Sequence, residues 1–529
     1  MAVRAIFSTS SHTQFSFLTP KFSPLTTTTN FLRLKRPQFP LIPPKKSPSF
    51  CACSTLNSAE EQSAIKSTEP YVITTPLYYV NAPPHMGSAY TTIAADAIAR
   101  FQRLLGKKVI FITGTDEHGE KIAAAAEANG SSPKEHCDVV SEAYKMLWKD
   151  LGIAYDRFIR TTDSNHEAIV KEFYARVLAS GDIYRADYEG LYCVNCEEYK
   201  DEKELLENIT CPMHLKPCIP RKEDNYFFAL SKYQKPLEEI LLRNPDFVQP
   251  TYRLNEVQGW IKSGLRDFSI SRALVDWGIP VPDDNKQTIC VWFDALLGYI
   301  SALSPEDKHP SLQDVVSSGW PASLHLIGKD GMKMGKSLGN TLEPKDLVHR
   351  FGSDAVRYFF LREVEFGNDG DYSEDRSLSL SLSLSLSLSL SLSLSLSLSL
   401  SLSLSQLNCQ STLPFDSITA ADGSSFRPNV DKLVLVIILE AMRIIAVALS
   451  PIAPNLCLKI YAQLGYSEDQ FGSIAWSETR WGGLKTGQVM AQAQPIFARI
   501  EKLTEEGSET GKKIVKGDKK SQLPVAAEA

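Results

Sequence analysis

Residues 71–113 contain the pattern that most restricts the fold, because a strand, an amphipathic helix and a second strand follow one another there. Residues 71–75 (YVITT) and 108–113 (KVIFIT) are apolar runs typical of buried strands, and Gly106 can end the helix between them. Apolar residues at three- and four-residue spacing indicate that helix: Met86, Ala89, Tyr90, Ile93, Ala97, Phe101 and Leu104. Strands joined in this way pair in parallel through a right-handed crossover, so we predict an α/β fold with a doubly wound parallel sheet and a ligand site at the carboxyl ends of the strands.

The turn between the first strand and this helix, residues 84–88 (PHMGS), has the residue types of a phosphate site. Backbone N–H groups and the dipole at a helix N-terminus favour an anion, Gly87 lets a phosphate approach, and the His85 imidazole can donate a hydrogen bond to it. The alternative is an ordinary surface or capping histidine, which is the commoner role of a histidine in a turn.

Two lysines three residues apart lie in a glycine-flanked loop at residues 329–340 (KDGMKMGKSLGN), which is a second candidate phosphate site. Lys333 and Lys336 can place their ammonium groups on a triphosphate and stabilise the charge of a departing pyrophosphate. Solvated surface charge is the alternative. Taken together, HMGS resembles the HIGH box and KMGKS resembles the KMSKS loop of class I aminoacyl-tRNA synthetases.

Within that class, the chain resembles the methionyl-tRNA synthetases of the organellar, bacterial-type branch over residues 70–376 and again over 431–500. The segments that carry the resemblance are TTPLYYVNAPPHMGSAYTTIAADAIAR, TGTDEHGEKI, VWFDALLGY and the lysine loop with its continuation SLGNTLEP. Ser88 replaces the second histidine of HIGH but can still donate a hydrogen bond, and Gly335 replaces a serine of KMSKS but leaves both lysines in place. The resemblance implies a methionine–tRNA ligase that uses methionine, ATP with Mg²⁺ and tRNA(Met).

The resemblance also implies roles for individual residues. The implied catalytic residues are His85, Lys333 and Lys336, and the implied ATP-binding residues are His85, Gly87, Ser88, Lys333, Lys336 and Ser337. The implied methionine pocket consists of Leu77, Tyr79, Asp116, Trp292, Ala295, Leu296 and Tyr299. Aromatic and aliphatic walls suit an unbranched thioether, and Asp116 can pair with the substrate ammonium. Simple core packing is the alternative for Trp292 and Tyr299.

Two pairs of potential metal ligands are separated by fourteen residues, Cys193 and Cys196 in the first pair and Cys211 and His214 in the second. Three thiolates and one imidazole at this spacing can close a tetrahedral zinc site without an open position, so we predict a structural zinc ion. Unpaired buried cysteines are the alternative, and Cys218 is a further thiol that could replace His214. The resemblance implies that this knuckle lies near the acceptor end of the tRNA.

Residues 1–59 contain seven Lys or Arg, no Asp or Glu, and many Ser and Thr. Transit peptides have this composition because they stay unfolded and positive during import, so we predict a chloroplast and/or mitochondrial location. The rest of the chain has an excess of acidic residues, so any contact with nucleic acid must come from a local patch. The apolar run at 433–449 has Glu440 and Arg443 near its middle, which favours a buried bundle helix over a membrane span.

The resemblance fails at two places. From Asp330 the chain passes directly to Gly331, where the family has a crossover helix, a returning strand and a histidine of the methionine pocket before the lysine loop. A parallel crossover needs a dozen or more residues, so this junction indicates a deletion. Residues 377–405 are a Ser-Leu repeat where the family continues into its anticodon-binding helices. Leucines at every second position cannot form one face of a helix. Translation of a simple DNA repeat explains this segment better than a folded structure does.

The leading hypothesis is therefore a methionine–tRNA ligase, and the alternatives are a catalytically impaired remnant that binds nucleotide and RNA, or a class I ligase for another amino acid. Tyr79, Trp292 and Tyr299 argue against the last. The predicted domains are a transit peptide (1–59), the first half of the nucleotide-binding catalytic domain (70–182), an inserted zinc knuckle (183–225), the second catalytic half with the lysine loop (226–376), the Ser-Leu repeat (377–405), a remnant of the anticodon-binding helical domain (406–500) and a disordered tail (501–529).

Overall fold

The computed structural model describes residues 69–273, 275–305, 310–326, 344–363, 431–485 and 487–492. These residues form two compact units. The first contains the described residues up to 363 with 450–454 and 474–477, and the second contains 431–449, 455–473 and the described residues from 478 onward. Several predicted segments lie outside the described residues: the transit peptide, the lysine loop with Lys333, Lys336 and Ser337, the Ser-Leu repeat and the tail.

The first half of the α/β domain has the predicted alternation of strands and helices. In chain order its elements are β1 (Tyr71–Thr74), β2 (Tyr78–Tyr79), α1 (Met86–Leu104), β3 (Val109–Asp116), α2 (Glu120–Ala128), α3 (Pro133–Asp150), β4 (Arg157–Arg160) and α4 (Ser164–Ala179). Strand β1 lies parallel to β3 with Tyr71 opposite Val109, and β3 also pairs in parallel with β2 and β4. The predicted strand–helix–strand unit is confirmed.

Helix α1 begins and ends where its sequence provides caps. The His85 ring accepts a hydrogen bond from the Gly87 N–H, and Ser88 completes a reciprocal capping box. At the other end, Gly106 has a φ of +83°, a conformation that favours glycine, and its N–H bonds to the Arg103 carbonyl. Of the apolar residues that predicted this helix, Tyr90 is half-buried and Phe101 is 37% exposed, and the others are buried: Met86, Ala89, Ile93, Ala97 and Leu104.

The inserted segment is built differently from the parallel sheet. Its strands are β5 (Ile183–Cys193), β6 (Glu198–Lys200) and β7 (Ile219–Phe228), with single turns of 3₁₀-helix at Glu202–Glu204 and Glu207–Ile209. The long strands β5 and β7 pair antiparallel from Ile183 opposite Phe228 to Tyr192 opposite Ile219. Strand β6 pairs with the end of β5, so the insertion forms an antiparallel arm whose far end carries the cysteine pairs.

The second half returns to mixed helices and strands. After a 3₁₀ turn at Leu230–Tyr233 its elements are α5 (Gln234–Arg243), α6 (Thr251–Lys262), β8 (Phe268–Ser269), β9 (Ser271–Arg272), β10 (Pro280–Val281), β11 (Asp284–Ile289), α7 (Val291–Ser301), α8 (Leu312–Ser317), β12 (Leu324–His325), α9 (Pro344–Phe351) and α10 (Ser353–Glu363). The apolar run at residues 288–293 predicts a strand with a helix from Ala295 onward, and this prediction is wrong at its end: the strand is Asp284–Ile289, and helix α7 already begins at Val291. A short apolar run fits a buried strand and a buried helix equally well.

Strand β12 returns to the parallel sheet and pairs with β1, with Ile73 opposite Leu324. The sheet order among the described residues is β12, β1, β3, β2, and β4 also pairs with β3. Helix α10 is fixed to α1 by a buried ion pair between Arg357 and Asp96 at 2.7 Å. Arg357 also donates hydrogen bonds to the carbonyls of Pro451 and Ile452. The elements before and after the lysine loop are thus both anchored on the same α/β core.

The C-terminal elements are α11 (Asp431–Leu449), α12 (Pro454–Gln463), α13 (Glu468–Gly472) and a 3₁₀ turn at Trp476–Thr479. Glu440 and Arg443 form a buried pair at 2.7 Å, and Glu440 also accepts backbone N–H groups from residues 482–484. The two charges in the apolar run are therefore satisfied within protein, as predicted for a bundle helix. Across the described residues, we find no helix with the length and apolar character needed to cross a membrane.

Candidate active site and metal cluster

The predicted phosphate site lies at the N-terminus of α1, beyond the carboxyl end of β1. The Nδ1 atom of His85 accepts the Gly87 N–H at 3.1 Å, so the neutral ring carries its proton on Nε2 and can donate it outward. His85 and Gly87 are exposed, and a Cβ atom added at Gly87 would lie 3.0 Å from the His85 ring. Ser88 is buried, and its hydroxyl donates to the His85 carbonyl, so the structure places it in the helix cap.

The predicted methionine-pocket residues lie on two segments: the stretch from the loop after β1 to the end of β3, and helix α7. The Leu77 N–H donates to the Tyr299 phenolic oxygen at 3.2 Å, and Leu296 packs against the same cluster. Ala295 is buried on the same helix. A Cβ atom added at Gly298 would lie 2.3 Å from Leu77, so glycine permits this close approach.

Tyr79 and Asp116 lie opposite each other in the β2–β3 register. Burial raises the pKa of the Tyr79 phenol well above its ordinary value, and the carboxylates of Glu197 and Asp116 raise it further. The phenol therefore stays protonated and acts as a hydrogen-bond donor. Asp116 is the last residue of β3 and is 7% exposed, so a ligand cation there would meet a carboxylate largely removed from water.

Trp292 connects helix α7, which carries four of the predicted pocket residues, to the arm that carries the cysteine pairs. Its indole Nε1–H donates to the Cys196 carbonyl at 3.0 Å. Tyr79 donates from its phenol to Glu197 Oε2 at 2.5 Å. The sequence prediction missed Glu197, although its position directly after Cys196 was a signal that the residue lies at the cluster.

A buried network behind α7 also escaped the sequence prediction. His118 Nδ1 lies 2.9 Å from Asp294 Oδ2, and His166 Nδ1 lies 2.8 Å from Ser301 Oγ. Burial opposes ionisation of Asp294, but the neighbouring histidines outweigh it and lower the pKa of this carboxyl. His325, on β12, packs its ring edge-on to Tyr299 at 4.6 Å between centroids. No motif spacing in the sequence relates these residues.

Glu117 forms a second buried network beside Asp116. Its carboxylate accepts two hydrogen bonds from Arg160 and further bonds from Thr115, Ser141 and Thr162. Burial raises the pKa of Glu117, but these donors together lower it below its ordinary value. The backbone on either side of this carboxylate carries Asp116 and His118, so the network holds the turn that presents both.

The predicted metal ligands converge at the end of the arm. One donor atom from each of Cys193, Cys196, Cys211 and His214 lies within 4.8 Å of the others. The Cys196–Cys211 sulfur distance is 3.6 Å, and His214 Nδ1 lies 3.2 to 4.0 Å from the three sulfurs. Tetrahedral zinc with bonds of about 2.3 Å to sulfur needs donor separations of about 3.8 Å, so this donor set fits zinc. Cys218 is buried in the same cluster.

Comparisons with known proteins agree with these motifs. The family model described as tRNA synthetases class I (M) matches residues 71–218, 202–333 and 310–380. The chain is 57% identical to the chloroplastic/mitochondrial methionine–tRNA ligase of Arabidopsis thaliana over 629 aligned positions that cover 100% of both chains. It is 42% identical to the methionine–tRNA ligase of a Nostoc species, with 82% of this chain and 98% of the relative covered.

A solved structure supports the same assignment. Mycobacterium tuberculosis methionyl-tRNA synthetase in complex with methionyl-adenylate superposes with a TM-score of 0.68 at 31% sequence identity, and the alignment covers 82% of this chain and 100% of that one. The chain belongs to the methionine–tRNA ligases, within the class I tRNA synthetases.

Proposed function

We propose that the chain has the function of a methionine–tRNA ligase, which activates methionine with ATP and transfers the methionyl group to the terminal adenosine of tRNA(Met). The observation that carries the proposal is the bond between Leu77 and Tyr299, because it brings the two halves of the predicted pocket together. His85 lies on the same strand-end side of the sheet, where ligands of doubly wound folds bind.

In the activation step, the methionine carboxylate attacks the α-phosphorus of ATP and pyrophosphate leaves. Asp116 binds the substrate ammonium and holds the carboxylate in place. His85 donates from Nε2 to a phosphate, with Gly87 giving the phosphate access and Ser88 fixing the imidazole through the helix cap. Lys333 and Lys336 stabilise the negative charge that develops on pyrophosphate, and Mg²⁺ supplies further charge stabilisation when bound with ATP.

We assign Cys193, Cys196, Cys211 and His214 as ligands of one structural zinc ion. The donor set has three sulfurs and one nitrogen at tetrahedral separations, which leaves no position for a substrate or a catalytic water. The arm that carries these ligands is the proposed zinc knuckle at residues 183–225. We propose the other domains with the boundaries predicted from the sequence.

We propose a chloroplast and/or mitochondrial location for this activity. The acid-free composition of residues 1–59 supports it. The Arabidopsis relative, which is described as chloroplastic/mitochondrial, supports it as well.

Direct binding of methionine to the full chain tests the pocket. We expect calorimetry to detect methionine but neither leucine nor tyrosine, and Asp116→Asn to weaken methionine binding by about tenfold or more. Asp150→Asn, an exposed acid at the end of α3, is the control and should bind methionine normally. Equal affinity in the Asp116→Asn variant would remove Asp116 from the pocket.

A second candidate function is a catalytically impaired remnant of the ligase, and the junction at Asp330 favours it. Only 18 residues, 326–343, connect the end of β12 to α9, and they must include the lysine loop. The Arabidopsis alignment runs over 629 positions against 529 residues in this chain, so the relative has residues where this chain has none. The family has a crossover helix and a returning strand before the lysine loop, and without them we expect Lys333 and Lys336 to be displaced from their positions opposite His85. A displacement of about 1 Å can cost a hundredfold in rate.

A further inference from the structure

Glu197 combines three features that rarely occur together. It directly follows Cys196, its backbone has a φ of +57°, and its side chain is buried. A non-glycine residue in the left-handed region is held there by its surroundings, since the conformation costs free energy. Glutamate adopts a positive φ less readily than asparagine or glycine. The contacts of the Glu197 side chain therefore explain why its backbone holds this conformation.

The carboxylate of Glu197 joins strand β2, which carries the predicted pocket residue Tyr79, to the first turn of helix α2. Oε2 accepts the Tyr79 phenol at 2.5 Å, and Oε1 accepts the Lys121 N–H, in the first turn of α2, at 2.9 Å. A Cβ atom added at Gly119 would lie 2.4 Å from Glu197 Oε1 and 2.7 Å from the Tyr79 hydroxyl. A side chain at residue 119 would therefore clash with the hydrogen-bonded Glu197 and Tyr79, and glycine avoids the clash.

The backbone at the same place holds a second pocket residue. The Cys196 carbonyl accepts the Trp292 indole N–H at 3.0 Å, and the Glu197 carbonyl accepts a guanidinium N–H of buried Arg272 at 3.2 Å. Two consecutive residues of the cysteine arm thus bond to Tyr79 on one side of the predicted pocket and to Trp292 on the other. A long, flexible side chain such as that of methionine is bound tightly only when the aromatic walls are held in fixed rotamers.

We propose that Glu197 is a positioning residue for methionine, which couples the folded cysteine cluster to the affinity for the amino acid. The coupling runs from the cluster through the backbone of Cys196 and Glu197 to Tyr79 and Trp292. The inference rests on the proposed methionine pocket. It assigns to the arm a function in amino-acid binding, separate from any contact with tRNA.

The test measures methionine affinity by calorimetry on the full chain, with zinc content determined for every variant. We expect Glu197→Ala and Tyr79→Phe each to weaken methionine binding about tenfold while zinc stays near one equivalent. Because both changes break the same bond, the double variant should be little weaker than the worse single variant. Glu202→Ala, an exposed acid on the same arm, is the matched control.

Glu197→Gln is the second variant, for the case in which the alanine variant loses zinc or fails to fold. One amide oxygen can accept only one of the two donors well, so intermediate affinity is expected. Wild-type affinity in either folded Glu197 variant, or fully additive losses in the double variant, would overturn the coupling alone. No methionine binding by the unmodified chain would overturn the pocket assignment and the coupling together.

Discussion

Leu77 and Tyr299 lie 222 positions apart in the chain, yet the Leu77 N–H donates a hydrogen bond to the Tyr299 phenolic oxygen. Both residues are buried, and the bond closes the loop after β1 onto helix α7. The ring of His325 packs edge-on against the ring of Tyr299. Tyr299 therefore connects the loop after β1, helix α7 and strand β12.

Tyr299→Phe should reduce both stability and methionine affinity. A buried backbone N–H that loses its acceptor costs about 1 to 3 kcal/mol, and the displaced Leu77 should weaken methionine binding several-fold. Denaturant unfolding and calorimetry measure the two effects. Tyr252→Phe, at a position 41% exposed, is the control. A loss of stability with unchanged methionine affinity would assign Tyr299 to core packing, the alternative that its position in an apolar helix allows.

The purified chain should contain one tightly bound zinc ion, because four donor atoms converge at tetrahedral separations. Metal analysis should give one equivalent for the full chain and much less for Cys196→Ser. Cys137→Ser, a buried cysteine outside the cluster, should keep its zinc. Less than half an equivalent in the unmodified chain, or full zinc in Cys196→Ser, would contradict the site.

Glu117 should make the stability of the first unit depend on pH in the acid range. Its pKa in the folded protein lies below the unfolded value of about 4.3. Its contribution is therefore fully present above that value and is lost as the pH falls through the folded pKa. At pH 7, Glu117→Gln should lower the free energy of unfolding by about 2 to 3 kcal/mol. This loss is smaller than for a buried ion pair whose cation has no other partner, because Arg160 keeps its ion pair with Asp138.

Denaturant unfolding of the two proteins between pH 7 and pH 3 measures this difference. The difference in free energy of unfolding between wild type and Glu117→Gln should become smaller as the pH falls. The exposed control Glu142→Gln should have the same free energy of unfolding as wild type at every pH. A gap that stays constant with pH would show that the carboxylate charge is not what the network stabilises.

The sequence predicted the elements whose pattern is local. The strand–helix–strand unit, the cap at Gly106 and the buried helix Asp431–Leu449 all follow from periodicity and capping residues. The sequence could not predict the Glu197–Tyr79 and His118–Asp294 bonds, because each joins residues more than a hundred positions apart that share no motif. The sequence did not predict that α7 begins at Val291, because the apolar and β-branched residues at 288–293 fit a buried strand as well as a buried helix.

In a complete version of the enzyme, Lys336→Ala should lower the rate of adenylate formation far more than it weakens methionine binding. The lysine meets charge that appears mainly in the transition state, and loss of one such donor costs about 3 to 4 kcal/mol, or a hundredfold or more in rate. Single-turnover kinetics separates this effect from methionine affinity. A defect confined to methionine affinity would place Lys336 in the pocket rather than at the pyrophosphate.

The most direct test compares methionine-dependent ATP–pyrophosphate exchange by this chain with exchange by a version in which a family-type segment is restored between Asp330 and Gly331. We expect the restored protein to exchange with methionine and no other amino acid, at a rate about a hundredfold or more above that of the chain as it stands. Equal rates would contradict the effect assigned to the junction. A restored protein that exchanges with another amino acid, or with none, would contradict the proposed function itself.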